Sequence, residues 1–77
     1  MAAGNREMVV FISYENKGSA ETIGREMVQA LEIGRAEYGV DMFTGGCEVR
    51  IPYSDSDLTR IRAWLVTRGV VYDMNLV

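Results

Sequence analysis

The chain has 77 residues, of which 48% are hydrophobic and 25% charged, and its formal net charge at pH 7 is −3. This composition is typical of a single small globular domain and excludes a disordered chain. The acidic balance disfavours nucleic acid as a partner, because proteins that bind the phosphate backbone normally present a basic face. No apolar run reaches the roughly 18 residues of a membrane span, so we expect no membrane partner.

The residue types also restrict the chemistry of the chain. It contains no histidine and one cysteine, Cys47, so an internal disulfide is excluded and the common metal sites lack their ligands. The glycines do not have the spacing of a phosphate-binding loop. We therefore predict no metal ion and no cofactor, and a non-catalytic protein more readily than an enzyme. The reducing cytoplasm is the expected location of a chain without disulfides.

The first predicted element is a β-strand between Glu7 and Tyr14, preceded by a small polar segment, residues 1–6, that we expect to fray. Five consecutive apolar residues, Met8 to Ile12, make a run too short for an ordinary helix. Because both faces of this strand are apolar, it belongs in the middle of a sheet.

A helix is predicted next, with Ser19 as its N-cap and its end between Gly34 and Gly39. Gly24 lies inside this helix, where glycine is unfavourable by about 1 kcal/mol relative to alanine. Close packing of the helix on the sheet is one explanation for that glycine.

Gly45-Gly46 predicts a two-residue hairpin turn. Folding the chain there pairs Val40 with Ile51, and it places Val40 and Met42 on the face that carries Val49 and Ile51. Ser54 is the predicted N-cap of a second helix that ends near Gly69, and the alternating residues 70–77 form the last strand.

The predicted order is therefore β-α-β-β-α-β in one domain, residues 1–77. This order favours the α+β split-βαβ, or ferredoxin-like, sandwich, with two helices on one face of a four-stranded antiparallel sheet. Right-handed crossovers place the first and third strands in the centre. The alternative is a three-layer open sheet with helices on opposite faces.

In the sandwich, one sheet face is left without helices, and its residues form the predicted partner-binding site. An apolar patch with a charged rim usually marks a protein interface. The predicted site consists of Val9, Phe11, Asp41, Phe43, Glu48, Arg50, Val71 and Asp73.

We therefore expect an interaction module that acts as a small regulator or inhibitor, self-associating into a homodimer or docking on another protein through this face. One form of such a regulator is a virus-encoded antagonist of a host nucleic-acid-processing complex, since an acidic protein can compete with nucleic acid for basic surfaces. Two alternatives stay open. The first is a small enzyme or ligand-binding subunit with a site shared across an oligomer, for which Tyr14, Glu15, Cys47 and Tyr53 are the candidate residues. The second is a weak nucleic-acid-binding domain.

Overall fold

The computed structural model describes residues 6–77, so residues 1–5 of the segment predicted to fray, residues 1–6, lie outside the described residues. The elements are β1 (Glu7–Ile12), α1 (Ala20–Ala30), β2 (Glu37–Val40), β3 (Cys47–Pro52), α2 (Asp55–Thr67) and β4 (Tyr72–Leu76). All strand pairs are antiparallel, and the order across the sheet is β2-β3-β1-β4. The predicted ferredoxin-like α+β fold, with β1 and β3 in the centre, is confirmed.

The core lies between the helices and one face of the sheet. The inward residues of β1, namely Met8, Val10 and Ile12, are completely buried, and Val49 and Ile51 of β3 lie beside them. The helices contribute Ala20, Met27, Ile61 and Leu65 to the same cluster. Burying each large apolar side chain stabilises the fold by about 1.5–3 kcal/mol. The helix-facing side of the sheet is therefore the stabilising side.

Side chains cap both helices as predicted. Ser19 accepts a hydrogen bond from the backbone N–H of Thr22, and Ser54 accepts one from that of Asp57. At the end of α2, Gly69 adopts a φ of 66°, and this left-handed residue terminates the helix.

The predicted end of α1 between Gly34 and Gly39 is wrong, because α1 ends at Ala30. Glu32 adopts a φ of 54°, and the backbone N–H of Ile33 donates to the carbonyl of Val28 at 3.0 Å. This bond closes a Schellman motif, whose left-handed position is more often occupied by glycine. Gly34 consequently lies outside the helix.

Gly24 allows α1 to approach β3 closely. A Cβ atom built on this residue would lie 2.9 Å from Cγ2 of Val49, nearer than side chains normally approach. The explanation of Gly24 by close packing is therefore correct, and the short distance between helix and sheet compensates for its low helix propensity.

The predicted hairpin register is wrong. Val40 pairs with Cys47 and Tyr38 with Val49. The partner of Val40 is therefore four residues earlier in β3 than Ile51, the partner that the Gly45-Gly46 turn predicts. Residues 41–46 form the connection, which is closed by a hydrogen bond from the N–H of Asp41 to the carbonyl of Gly46 at 2.8 Å. Because the shift is an even number of residues, Val40 keeps its predicted face.

Candidate interaction surface

The sheet face opposite the helices forms the centre of the candidate surface. Alternation along the paired strands places Val9 and Phe11 on this open face together with Glu48, Arg50 and Asp73. Five of the eight predicted site residues therefore share one face. Val9 is 8% exposed and Phe11 is 37% exposed. The apolar area on the face is smaller than the sequence predicts.

Charged side chains cover part of this open face. Arg50 pairs across the strands with Val9, and its guanidinium lies 3.4 Å from a carboxylate oxygen of Glu7 and 3.6 Å from one of Glu48. Exposed ion pairs of this kind stabilise a protein by about 0–1 kcal/mol each. Arg50 is the cross-strand neighbour of Val9 on the same face, a position from which the apolar stem of an arginine commonly covers a smaller side chain.

The strands of the open face carry more carboxylates than guanidinium groups. Its strand residues include four carboxylates, on Glu7, Glu37, Glu48 and Asp73, against the one guanidinium of Arg50. At the end beside Pro52, Arg6 and Arg35 join Arg50 around a cleft with Glu7 and Glu37. The excess of carboxylates therefore lies towards Glu48 and Asp73, and this part of the face repels phosphate and attracts a basic surface.

Phe11 is held by the loop that connects β2 and β3. A Cβ built on Gly46 would lie 2.7 Å from Cζ and 2.9 Å from Cε1 of Phe11, so the ring occupies the space that a side chain at position 46 would need. The glycine is therefore required for a close approach, and Phe11 links the open face to this loop.

The loop itself, residues 41–46, is organised by the carboxylate of Asp41. One oxygen accepts the backbone N–H of Phe43 and the other accepts the hydroxyl of Thr44, both at 2.9 Å. The Asp41 carbonyl accepts the N–H of Gly45 at 2.7 Å, and Gly45 adopts a φ of 86°. The hydrogen bond from the Phe43 N–H is the main reason why the pKa of Asp41 lies below its ordinary value.

This loop presents the two most exposed large hydrophobic residues of the described chain. Met42 is 89% exposed and Phe43 is 99% exposed. The sequence pattern predicts Phe43 and Asp41 in a strand on the open face and Met42 on the core face, and all three placements are wrong. Asp41 forms an Asx-type turn that takes the following residues out of the strand. Asp41 precedes Phe43 by two residues and Thr44 by three, and this spacing is the sequence signal that could have indicated the turn.

Val71, the remaining predicted site residue, lies just before β4 and is 48% exposed. Its N–H donates to the side-chain oxygen of Asn16, and its carbonyl accepts both the Asn16 amide and the N–H of Ser13. The predicted last strand, residues 70–77, is therefore shortened to Tyr72–Leu76. Val71 lies at the margin of the open face.

The residues proposed for an enzyme site do not come together within one subunit. Glu15 lines a groove beside the end of α2, whereas Tyr53 lines a cleft at the opposite end of β1 and donates to Asp55. Cys47 is completely buried, and burial raises the pKa of its thiol, with the charge of Glu21 adding to the effect. A buried protonated thiol is a poor nucleophile. Among residues 6–77, no group of three or more His, Cys, Asp or Glu side chains is placed to hold a metal ion.

The fold and this surface define a small ferredoxin-like α+β domain with an acidic open face and an exposed apolar loop. The chain matches no protein-family model, no curated protein and no solved structure. In the described part of the chain, neither helix is long and apolar enough to cross a membrane.

Proposed function

We propose that this chain is a non-catalytic interaction module, a small regulator or inhibitor that docks on a protein partner through the loop of residues 41–46. The observation that carries the proposal is the exposure of Met42 and Phe43, at 89% and 99%. Neighbouring apolar side chains that contribute nothing to the core are favoured for a role in binding.

The order of the loop supports this role. Asp41 fixes the backbone at Phe43 and the side chain of Thr44, so the aromatic ring stands on a preformed support. A rigid loop loses little conformational entropy on binding, and this preorganisation raises affinity. Transfer of the phenylalanine side chain into a partner pocket would contribute about 1.5–3 kcal/mol. An aromatic anchor of this kind is typical of interface hot spots.

The charges next to the loop indicate the chemistry of the partner. Asp41 in the loop and Glu48 at the start of β3 would border the docked ring, which favours an apolar pocket with a basic rim. Nucleic-acid-processing proteins carry such basic surfaces. The proposed mode of action is therefore competition with nucleic acid for a partner's basic surface in the cytoplasm, and a virus-encoded antagonist would act in this way.

A direct test compares partner capture by the wild type, Phe43→Ala and the control Gln29→Ala, whose residue is exposed on α1 in the helix layer. The immobilised protein is incubated with extract of its native cell, and captured proteins are quantified at two salt concentrations. We expect a protein that the wild type and Gln29→Ala retain, that Phe43→Ala loses, and that binds less at high salt. Equal retention by all three proteins would contradict the proposal.

Self-association through the open face is a separate expectation that no observation tests. The strands of each open face carry four carboxylates and one guanidinium, so two such faces would repel each other if they stacked. The charge of the face thus favours a basic partner over a second copy.

A further inference from the structure

The outer edge of the sheet at β4 has a defined hydrogen-bonding pattern. Glu7 and Val77 exchange both backbone hydrogen bonds, at 3.2 and 2.9 Å. Because such pairs alternate along an antiparallel ladder, residues 73, 75 and 77 direct their backbone groups to β1, and residues 72, 74 and 76 direct theirs outward. Among residues 6–77, β4 is the last strand of the sheet, so no strand of this described part of the chain lies beside these outward groups.

The side chains of β4 form two rows of different character. Tyr72, Met74 and Leu76 lie on the helix side, where Tyr72 and Met74 pack against the core and Leu76 is 49% exposed. Asp73 and Asn75 lie on the open face. Edge strands are commonly protected by lysine, proline or a bulge, and β4 has none of these. Its one protection is the Asp73 carboxylate, which accepts the N–H of Met74 at 2.9 Å.

We propose that β4 pairs antiparallel with β4 of a second copy about a twofold axis at Met74. In an added antiparallel strand, outward-directed residues must lie opposite outward-directed residues. The Met74 register sets Tyr72 against Leu76 of the second copy and Asp73 against Asn75 of the second copy. The Asp73 carboxylate then accepts a hydrogen bond from the side-chain amide of Asn75 of the second copy instead of from the Met74 N–H. The Met74 N–H becomes free to donate to the backbone of the second copy's β4.

The neighbouring registers are less favourable. A register centred on Asp73 places the two Asp73 carboxylates, one from each copy, directly opposite each other, and like charges in this position are destabilising. A register centred on Asn75 places Asp73 opposite Val77, where the carboxylate has no donor. Of these three registers, only the one centred on Met74 gives the Asp73 carboxylate a hydrogen-bond donor while it pairs apolar residues on the helix side. The strand is self-complementary in this register, which identifies a second copy as its occupant.

One side of α2 extends this edge. Arg60 and Trp64 mark the side of α2 that faces α1, since Arg60 donates to the carbonyl of Leu31 and Trp64 lines grooves with α1 residues. The opposite side carries Leu58, Arg62 and Val66 in one row, and Val66 is 64% exposed. Because α1 contacts β1, β2 and β3, this opposite side of α2 lies towards β4. Pairing of β4 would bring this side of α2 in one copy towards the same side in the other, with Leu58 and Val66 as its apolar residues.

This dimer goes beyond the proposed docking function and uses another part of the sheet. The loop of residues 41–46 adjoins β2 and β3, whereas β4 lies at the far edge. A dimer would therefore carry two copies of the loop, and two linked binding events raise the apparent affinity for a partner with two sites. Failure of one proposal leaves the other intact.

The test measures molar mass against protein concentration by sedimentation equilibrium for the wild type and two variants. We expect the wild type to move from the 8.6 kDa monomer towards twice that mass. Asn75→Asp sets two pairs of like charges opposite each other and should raise the dissociation constant about tenfold, or about 1.4 kcal/mol. The double variant Asp73→Asn with Asn75→Asp restores both complementary pairs and should restore dimerisation.

The two variants change exposed side chains, and thermal unfolding of each variant checks that the monomer is intact. Phe43→Ala serves as a control and should leave the mass unchanged. A wild type that remains monomeric at protein concentrations up to about 1 mM would overturn the proposal. A dimer that Asn75→Asp does not weaken, or that the double variant does not restore, would equally overturn it.

Discussion

The two phenylalanines show how differently the same residue type is placed in one small domain. Phe11 lies on the open face over Gly46 and is 37% exposed, whereas Phe43 stands on the neighbouring loop and is 99% exposed. The first ring is part of the folded structure, and the second is held in position without being part of the packing. Exposure alone therefore does not identify a binding residue. What distinguishes Phe43 is exposure on a backbone that hydrogen bonds hold fixed.

The largest expected difference between these regions concerns stability. Phe11→Ala should lower the free energy of unfolding by about 2 kcal/mol, since a partly buried ring loses its contacts. Phe43→Ala should change it by less than about 0.5 kcal/mol, as is usual for exposed positions. Urea unfolding followed by circular dichroism measures both values. Equal losses in the two variants would show that the loop phenylalanine belongs to the packing.

The contact between Phe11 and Gly46 can be tested from the glycine side. Gly46→Ala should lower the free energy of unfolding by about 1–2 kcal/mol, because its Cβ would overlap the ring. In a Phe11→Ala background this loss should become smaller, since the ring is then absent and the nearest remaining atom is the Ile12 carbonyl oxygen at 3.2 Å. A double-mutant cycle measures the coupling. Additive effects of the two substitutions would contradict the packing of the ring on Gly46.

A smaller effect is expected from pH, and it should be confined to the loop. The pKa of Asp41 lies below its ordinary value of 3.8, chiefly because the Phe43 N–H donates to its carboxylate. The order that these bonds give the loop is therefore fully present above about pH 3.8 and is lost as the pH falls through the lower folded-state pKa. The amide resonance of Phe43, followed by NMR, should titrate in this acidic range.

Asp41→Asn is the matched control for this titration, because it keeps one acceptor oxygen and removes the ionisable group. In Asp41→Asn, the amide resonance of Phe43 should lack the acidic transition that the wild type shows. A transition of the same midpoint in both proteins would assign the pH dependence to another group.

The sequence allowed most of the fold to be predicted, because the relevant signals are local. The apolar run of Met8 to Ile12 identifies a central strand, and the residues at the helix ends, Ser19, Ser54 and Gly69, adopt the capping roles expected of their types. The order of elements then leaves few topologies, and the ferredoxin-like arrangement is the one observed.

The hairpin prediction fails because a tertiary contact and a side-chain turn override a local preference. Gly45-Gly46 suggested a two-residue turn, but Gly46 is needed beneath Phe11, and the carboxylate of Asp41 begins a longer loop. The end of α1 was misplaced because Glu32, a non-glycine residue, takes the left-handed position. Phe43 was consequently predicted as a binding residue but assigned to the wrong element.

The central claim is that Phe43 contacts a partner, and site-specific photocrosslinking tests it most directly. A photoreactive phenylalanine analogue is introduced at position 43 in one protein and at position 29 on α1 in another, and both are irradiated in the native cell. We predict a discrete crosslinked protein from position 43 that position 29 does not give. The same products from both positions, or none from position 43 while the wild type still captures its partner, would contradict the claim.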